Sequence, residues 1–324
     1  MELLRVESLK KYFGVKKMFG SSQGALKAVD GVDLSIGADK VLALVGESGC
    51  GKSTVARLVL KLIRPTSGTV LFRGRNIFEF DRKEMKAFRK SVQIIFQDPF
   101  ASLNPRRTIY DTVSEPLLIH NLASGSKMRE AVVDILGSVG LAPDIMNRYP
   151  HEFSGGQRQR ICIARALAVS PELIVADEPL SALDVSIQAQ ILNLLQALRE
   201  KTKISFLFIS HDLRVVKYFS DSVGVMYLGK IVEYADTDEL FESPLHPYTE
   251  VLLASVPEIR SGEEGMPGRA ALKGDVPSPI NIPAGCPFHP RCPKRFGPCD
   301  KIVPSLSRQK GRLVSCHLWT PVET

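Results

Sequence analysis

Between the apolar run VLALV, residues 41–45, and the helix-like stretch STVARLVLKLI lies GESGCGKST, Gly46 to Thr54. It fits the pattern G-x-x-x-x-G-K-[ST] in the context that the pattern requires, after a strand and before a helix. An apolar run ending in glycine reads as a buried parallel strand. The helix pattern is expected to stop at Arg64-Pro65, because the residue before a proline disfavours helical geometry. Gly46, Gly49 and Gly51 let the backbone turn tightly, so that its N–H groups converge on phosphate oxygens. The helix N-terminus behind the loop adds a favourable dipole. The whole loop (Gly46, Glu47, Ser48, Gly49, Cys50, Gly51, Lys52, Ser53 and Thr54) is therefore read as nucleotide-binding. Lys52 is expected to bridge the β- and γ-phosphates, and Ser53 to offer its hydroxyl to Mg²⁺.

The rest of the core follows the same alternation. LIVADEP and ISFLFISHD read as two more buried strands, separated by the helical SIQAQILNLLQALREKT. Strands separated by helices indicate an α/β core with a mainly parallel sheet. Residues 100–170 are largely helical in pattern, and 258–285 are rich in glycine and proline, as a linker is. LIVADEP ends in two acids. Asp177 at the strand tip suits the Mg²⁺ shell. The next side chain points to the opposite face, which leaves Glu178 to polarise an attacking water as general base. In FSGGQRQRICIARAL, Ser154, Gly155 and Gly156 read as an N-cap and bare amides opening a basic helix, an arrangement that binds anions. A second phosphate element is out of place in one compact site, but fits a nucleotide held by another subunit.

Composition sets limits without choosing a function. The chain has 324 residues, 44% hydrophobic and 24% charged, with a net charge of +7. No leader with a continuous apolar segment is visible at the start, and no run reaches the ~18 apolar residues that span a bilayer. The chain is expected in the cytosol, where thiols stay reduced.

The order of motifs (phosphate loop, FQDP, FSGGQ, LIVADEP, SALD, ISHD) resembles the ATP-binding subunit of an ABC transporter over about residues 1–250. The resemblance implies a P-loop NTPase core with an antiparallel β subdomain, an inserted helical subdomain at about 98–170, and two subunits binding two ATP molecules between them. Phe13, with Tyr12 beside it, matches the aromatic residue that stacks on adenine. Gln97 matches the glutamine that touches Mg²⁺ or water and senses the membrane partner. Ser154, Gly155, Gly156 and Gln157 match the signature that meets the other subunit's γ-phosphate, with Phe153 in place of the more usual leucine. Asp184 in SALD matches the subunit contact, and His211 in ISHD the switch histidine at the γ-phosphate.

Longer stretches (QIIFQDPFASLNPR, SALDVSIQAQILNLL, PLHPYTEVLLASVP) are similar to the oligopeptide/dipeptide importer subgroup. That similarity implies import of peptides, or of nickel, opines or oligosaccharides by the same machinery. It also implies a second, different ATPase subunit, two permease subunits, an extracytoplasmic solute-binding protein, and a place at the cytoplasmic face of the membrane. A soluble ABC ATPase acting on ribosomes or nucleic acid is the alternative; nucleic acid is not expected as a partner.

Four of the six cysteines crowd into the C-terminal part, at Cys286, Cys292, Cys299 and Cys316. The ATP-binding domain is taken to end at residue 257, and 258–324 to form a linker and a small Cys-rich module. The spacing is not the C-x2-C pair of a zinc ribbon. Four thiolates can still wrap one metal centre, zinc or iron–sulfur, and a metal would stabilise a module with little apolar core. Resemblance to the importer subgroup favours a [4Fe-4S] cluster, with Zn²⁺ or metal-free thiols as alternatives. Cys50 and Cys162 are expected to be structural; His289 and His317 could substitute as ligands, but are expected to face solvent or pack locally. From residue 286 onward seven basic residues face two acidic ones, read as a solvated basic surface.

Overall fold

The computed structural model describes residues 2–14, 24–255 and 277–319. The chain begins with strands β1 (Glu2–Gly14), β2 (Ala25–Gly37) and β3 (Val41–Val45), then helix α1 (Lys52–Val59) and strands β4 (Ser67–Phe72) and β5 (Arg75–Asn76). Helix α2 (Arg82–Ser91) leads into β6 (Val92–Ile95). From there to β7 every element is helical: α3 (Pro99–Ser102), α4 (Ile109–Ile119), α5 (Ser126–Ser138), two short 3₁₀ turns and α6 (Gly155–Leu167). The order β7 (Leu173–Asp177), α7 (Val185–Thr202), β8 (Ser205–Ile209), α8 (Leu213–Phe219), β9 (Ser222–Tyr227) and β10 (Lys230–Asp236) restores the alternation. Helices α9 (Thr237–Glu242) and α10 (Pro247–Ala254) and strands β11 (Ser307–Gln309) and β12 (Arg312–Val314) complete it.

The described residues form two compact units. The first is drawn from Met1–Leu3, Ile36–Val41 and Phe72–Ile209. Its centre is a parallel array: β6 pairs with β7 from Val92 opposite Leu173, and β7 with β8 from Leu173 opposite Ser205. Leu173–Ala176 and all of β8 are buried, as parallel strands covered on both faces must be.

The second unit is drawn from Leu4–Ser35, Leu42–Leu71 and Ser210–Thr324. In it β2, β1 and β4 lie side by side. Separately, β3 runs parallel to β9, β10 turns back against β9, and β12 and β11 continue antiparallel from β10. The β9–β10 hairpin turns on Leu228 and Gly229, both with positive φ, which matches the twist of a two-residue hairpin.

One expectation needs revision. Helix α1 ends at Val59, short of Pro65. Lys61 takes a left-handed φ of 52°, and the N–H of Leu62 reaches back to Arg57 O at 2.8 Å. A left-handed residue with such a backward bond closes a helix before any proline is met. The described part of the tail packs within the second unit. Phe288, Cys286 and Cys299 are buried in one cluster with Val45, Val225, Tyr227 and Tyr248. The tail buries Cys286, Phe288, Cys299, Val314 and Cys316, while Phe296, Ile302, Val303 and Leu318 stay exposed. Most of the proposed linker lies outside the described residues. Replacing Phe288 by alanine removes a fully buried ring from that cluster and should lower stability by about 3–5 kcal/mol. A urea midpoint equal to that of the wild type would mean that the tail is not packed in this way.

Candidate nucleotide-binding site

The phosphate loop belongs to the second unit and is crowded from two sides by main chain. A Cβ on Gly46 would lie 2.2 Å from Met226 O, and one on Gly51 2.1 Å from Ala28 O. Their φ angles, 145° and 112°, are also ones that side chains rarely adopt. The hairpin tip closes on the same place, with Gly229 N–H donating to Cys50 O at 2.9 Å and Asp30 N–H to Gly229 O at 2.8 Å. Ser48 and Gly49 stay exposed at the mouth of the loop. Lys52 is buried, and its Nζ donates to Gly46 O at 2.8 Å and Glu47 O at 3.0 Å. The ammonium is thus held at the centre of the loop, at the first position of α1. Ser53 and Thr54 follow in the first turn. Burial pushes the Cys50 thiol up, against the opposing pull of the Lys52 charge, so it stays a neutral wall of the loop.

Elsewhere in this unit, Tyr12 donates its hydroxyl to Asp30, and burial with that bond pushes its phenol up to about 12. Tyr12 is therefore part of the framework, and Phe13 is the exposed ring of the two. His211 is exposed on the loop before α8. Beside it, Asp212 caps that helix; burial raises its carboxyl, but Arg214 at 2.9 Å outweighs this and holds it below the usual value.

The first unit holds the acids and the glycine signature. Asp177 ends β7. Glu178 sits at φ 49°, uncommon for a side chain of its size, and is fixed there by its N–H donating to Ile209 O at 3.0 Å. Gln97 Nε2 donates to Glu178 Oε2 at 3.0 Å, so the strand-end acid and the glutamine of FQDP meet. Such strain gathers at functional positions. Ser154 caps α6 in a reciprocal box with Gln157. Asp184 caps α7, and hydrogen bonds from Ile187 N–H and the Ser186 hydroxyl hold its carboxyl below the usual range. The two caps are neighbours, because a Cβ on Gly156 would lie 2.5 Å from Ile187 Cγ2.

The basic helix behind the signature does not present its charges to an anion. Arg158 donates to Pro150 O and His151 O, Arg160 to Val139 O, and Arg165 to Ser102 O. These arginines staple loop carbonyls, which leaves the capped N-terminus as the anion-binding feature.

The tail's basic surface is likewise mostly engaged. Arg291 pairs with Glu47, Lys294 with Glu250 and Arg295 with Asp300, while Arg312 is buried against Glu239 O and Ser243. All four clustered cysteines line one small cavity, walled by Phe288, Phe296 and Leu318. Burial pushes the thiols of Cys286 and Cys316 up to about 11. His289 Nδ1 and His317 Nε2 are hydrogen-bonded to Cys286 O and Ile302 O. Among the described residues, no three His, Cys, Asp or Glu side chains converge closely enough to hold a single metal ion. Cys50 and Cys162 do not line the cavity. No helix among the described residues is long and apolar enough to cross a membrane.

A glycine loop seated between a parallel strand and a helix, with a strand-end acid pair and a capped signature helix, defines an ABC-type ATPase. Residues 29–181 match the ABC transporter family model, and 232–299 match that of the oligopeptide/dipeptide transporter C-terminal region. The chain is 49% identical to the oligopeptide transport ATP-binding protein AppF of Bacillus subtilis, over 98% of both chains. It is 45% identical to the dipeptide transport ATP-binding protein DppF of Escherichia coli, over 97% of this chain and 93% of that one. Among solved structures it is similar to cbiO1 of Clostridium perfringens, part of the transporter complex cbiONQ, with a TM-score of 0.63 and 28% identity over 75% of this chain and 91% of that one. The ATP-binding cassette MJ0796, solved as a dimer with ADP and Pi, gives the same score and identity over 72% and 99%. The chain belongs to the family of oligopeptide/dipeptide ABC transporter ATP-binding proteins.

Replacing Gly46 by alanine forces a methyl group into Met226 O. A clash and φ penalty of the 1–3 kcal/mol order should weaken MgATP binding by about tenfold or more. Unchanged affinity in an equilibrium titration would show that the loop does not bind phosphate in this geometry.

Proposed function

We propose that this chain hydrolyses ATP to power the import of di- and oligopeptides from the cytoplasmic face of a membrane. The observation that carries this reading is the near full-length likeness to oligopeptide and dipeptide transport ATP-binding proteins, in a chain that keeps the phosphate loop and Glu178. Its partners are a second homologous ATPase subunit, two permease subunits and an extracytoplasmic solute-binding protein. The helices between Pro99 and Leu167 form the inserted subdomain that faces the permease.

Lys52 and the loop amides bind the β- and γ-phosphates. Ser53, Gln97 and Asp177 would hold Mg²⁺ through side-chain oxygens, the donors that it prefers, and the ion would supply neutralising charge to the phosphates. Phe13 stacks on the base. Glu178, oriented by Gln97, takes the proton of the attacking water, and His211 hydrogen-bonds the γ-phosphate. Ser154, Gly155, Gly156 and Gln157 cover the γ-phosphate bound by the partner subunit, with Asp184 at the contact. Closure of the pair follows from contacts that only the ATP-bound state makes. The engagement of Arg291, Lys294, Arg295 and Arg312 within the fold counts against nucleic acid as the partner.

The four thiols that line the cavity are the candidate ligands of a metal centre. A ring nitrogen of each histidine that lines the cavity is bonded to backbone. Four thiolates suit zinc or an iron–sulfur cluster, and the likeness to the oligopeptide/dipeptide importer subgroup is what favours the cluster. Such a centre would withdraw the four thiols from water and hold the tail together. Protein purified without oxygen should carry iron and acid-labile sulfide, and Cys292→Ser with Cys299→Ser should lose both. Stoichiometric zinc without sulfide would overturn the cluster assignment.

Glu178→Gln should keep MgATP binding while turnover drops by about 10²-fold or more, within the range for loss of a general base. The same variant should abolish growth on a dipeptide as sole source of a required amino acid. Normal growth, or normal turnover, would remove Glu178 from its role.

A further inference from the structure

Glu47 is the second residue of the phosphate loop, and the second unit holds it at four points. Its carboxylate accepts a two-pronged contact from Arg291, Nη1 to Oε2 at 2.7 Å and Nη2 to Oε1 at 3.0 Å. Its N–H donates to Tyr248 Oη at 2.9 Å, and its carbonyl accepts from Lys52 Nζ at 3.0 Å. Arg291 lies 244 residues away in sequence, yet its side chain is only 6% exposed and that of Glu47 22%. The turn that carries Arg291 is itself fixed. Arg291 N–H donates to Phe288 O at 3.0 Å and His289 N–H to Cys286 O at 3.0 Å. The Phe288 ring packs at 5.4 Å from Tyr227 and 5.3 Å from Tyr248, and those two rings lie 4.7 Å apart. An unbroken set of contacts thus runs from the cysteine cavity to the loop.

We propose that Arg291 is a positioning residue of the nucleotide site: through Glu47 it sets the geometry of the phosphate loop, so that the C-terminal region fixes how tightly ATP is held. A planar fork on a carboxylate fixes direction as well as distance. Its net contribution to stability is small, because both charges leave water to form it. The group so fixed is the one whose carbonyl, with that of Gly46, aims the Lys52 ammonium. Arg291 touches no nucleotide atom in this account and acts only through Glu47.

The proposal rests on the chain being an ATP-binding subunit, which the wild-type titration checks by itself. The test is equilibrium binding of a fluorescent ATP analogue with Mg²⁺ to the full chain, alongside urea midpoints. Arg291→Met should raise Kd about tenfold, the loss expected for a charged hydrogen bond. Arg291→Lys keeps the charge but not the fork and should give a smaller rise. Glu47→Gln separates positioning from simple charge. If Glu47 acted only as a negative charge near phosphate, its removal would tighten binding, whereas loss of the brace weakens it. Adding Arg291→Met to Glu47→Gln should then cost nothing further. In the assembled transporter KM for ATP should rise while kcat holds. An Arg291→Met Kd within about twofold of wild type, whatever its urea midpoint, overturns the proposal; so does tighter binding by Glu47→Gln. Should Arg291→Met not fold, the sign of the Glu47→Gln change decides.

Discussion

The constraint on which the nucleotide site depends is the lack of room around Gly46 and Gly51. Carbonyl oxygens of Met226 and Ala28 stand where a Cβ would be, so the loop can pass only as bare backbone. Those carbonyls come from the end of β9 and from β2, elements separated in sequence by nearly two hundred residues. Their approach requires the β9–β10 hairpin to turn tightly on Leu228 and Gly229. The loop is therefore a product of the unit around it.

Much of this was legible in the sequence because it depends on local pattern. Buried parallel strands need unbroken apolar runs, and VLALV, LIVAD and SFLFI supply them; the loop, the strand-end acids and the capped signature are each set by residues within a few positions. What escaped was set by distant partners. Nothing near Arg291 signals that it meets Glu47, and a count of basic residues in the tail reads as a solvated surface. Nothing in one dimension shows that the guanidinium groups of α6 are taken up by backbone carbonyls. The positive φ of Glu178 has no sequence signature, because glutamate is not a residue that favours it.

The C-terminal cysteines acquire a different meaning from this packing. As a string of residues they look like an appendix to a complete ATPase. In the fold, Cys286, Phe288 and Cys299 share a core with the strands that shape the phosphate loop. Cys292, which lines the cavity, is the next residue after Arg291, which reaches Glu47. Whatever the four thiols hold, they hold it on the turn that braces the loop.

Coupling between nucleotide and solute is what the assembled transporter must show. The decisive measurement is ATP turnover by this chain assembled with its partner ATPase subunit and its permease subunits in proteoliposomes, with a labelled dipeptide and the solute-binding protein supplied on the opposite side. Turnover should rise with peptide-loaded binding protein, and accumulation of label should require ATP. Turnover indifferent to peptide, with no label moved, would contradict that coupling.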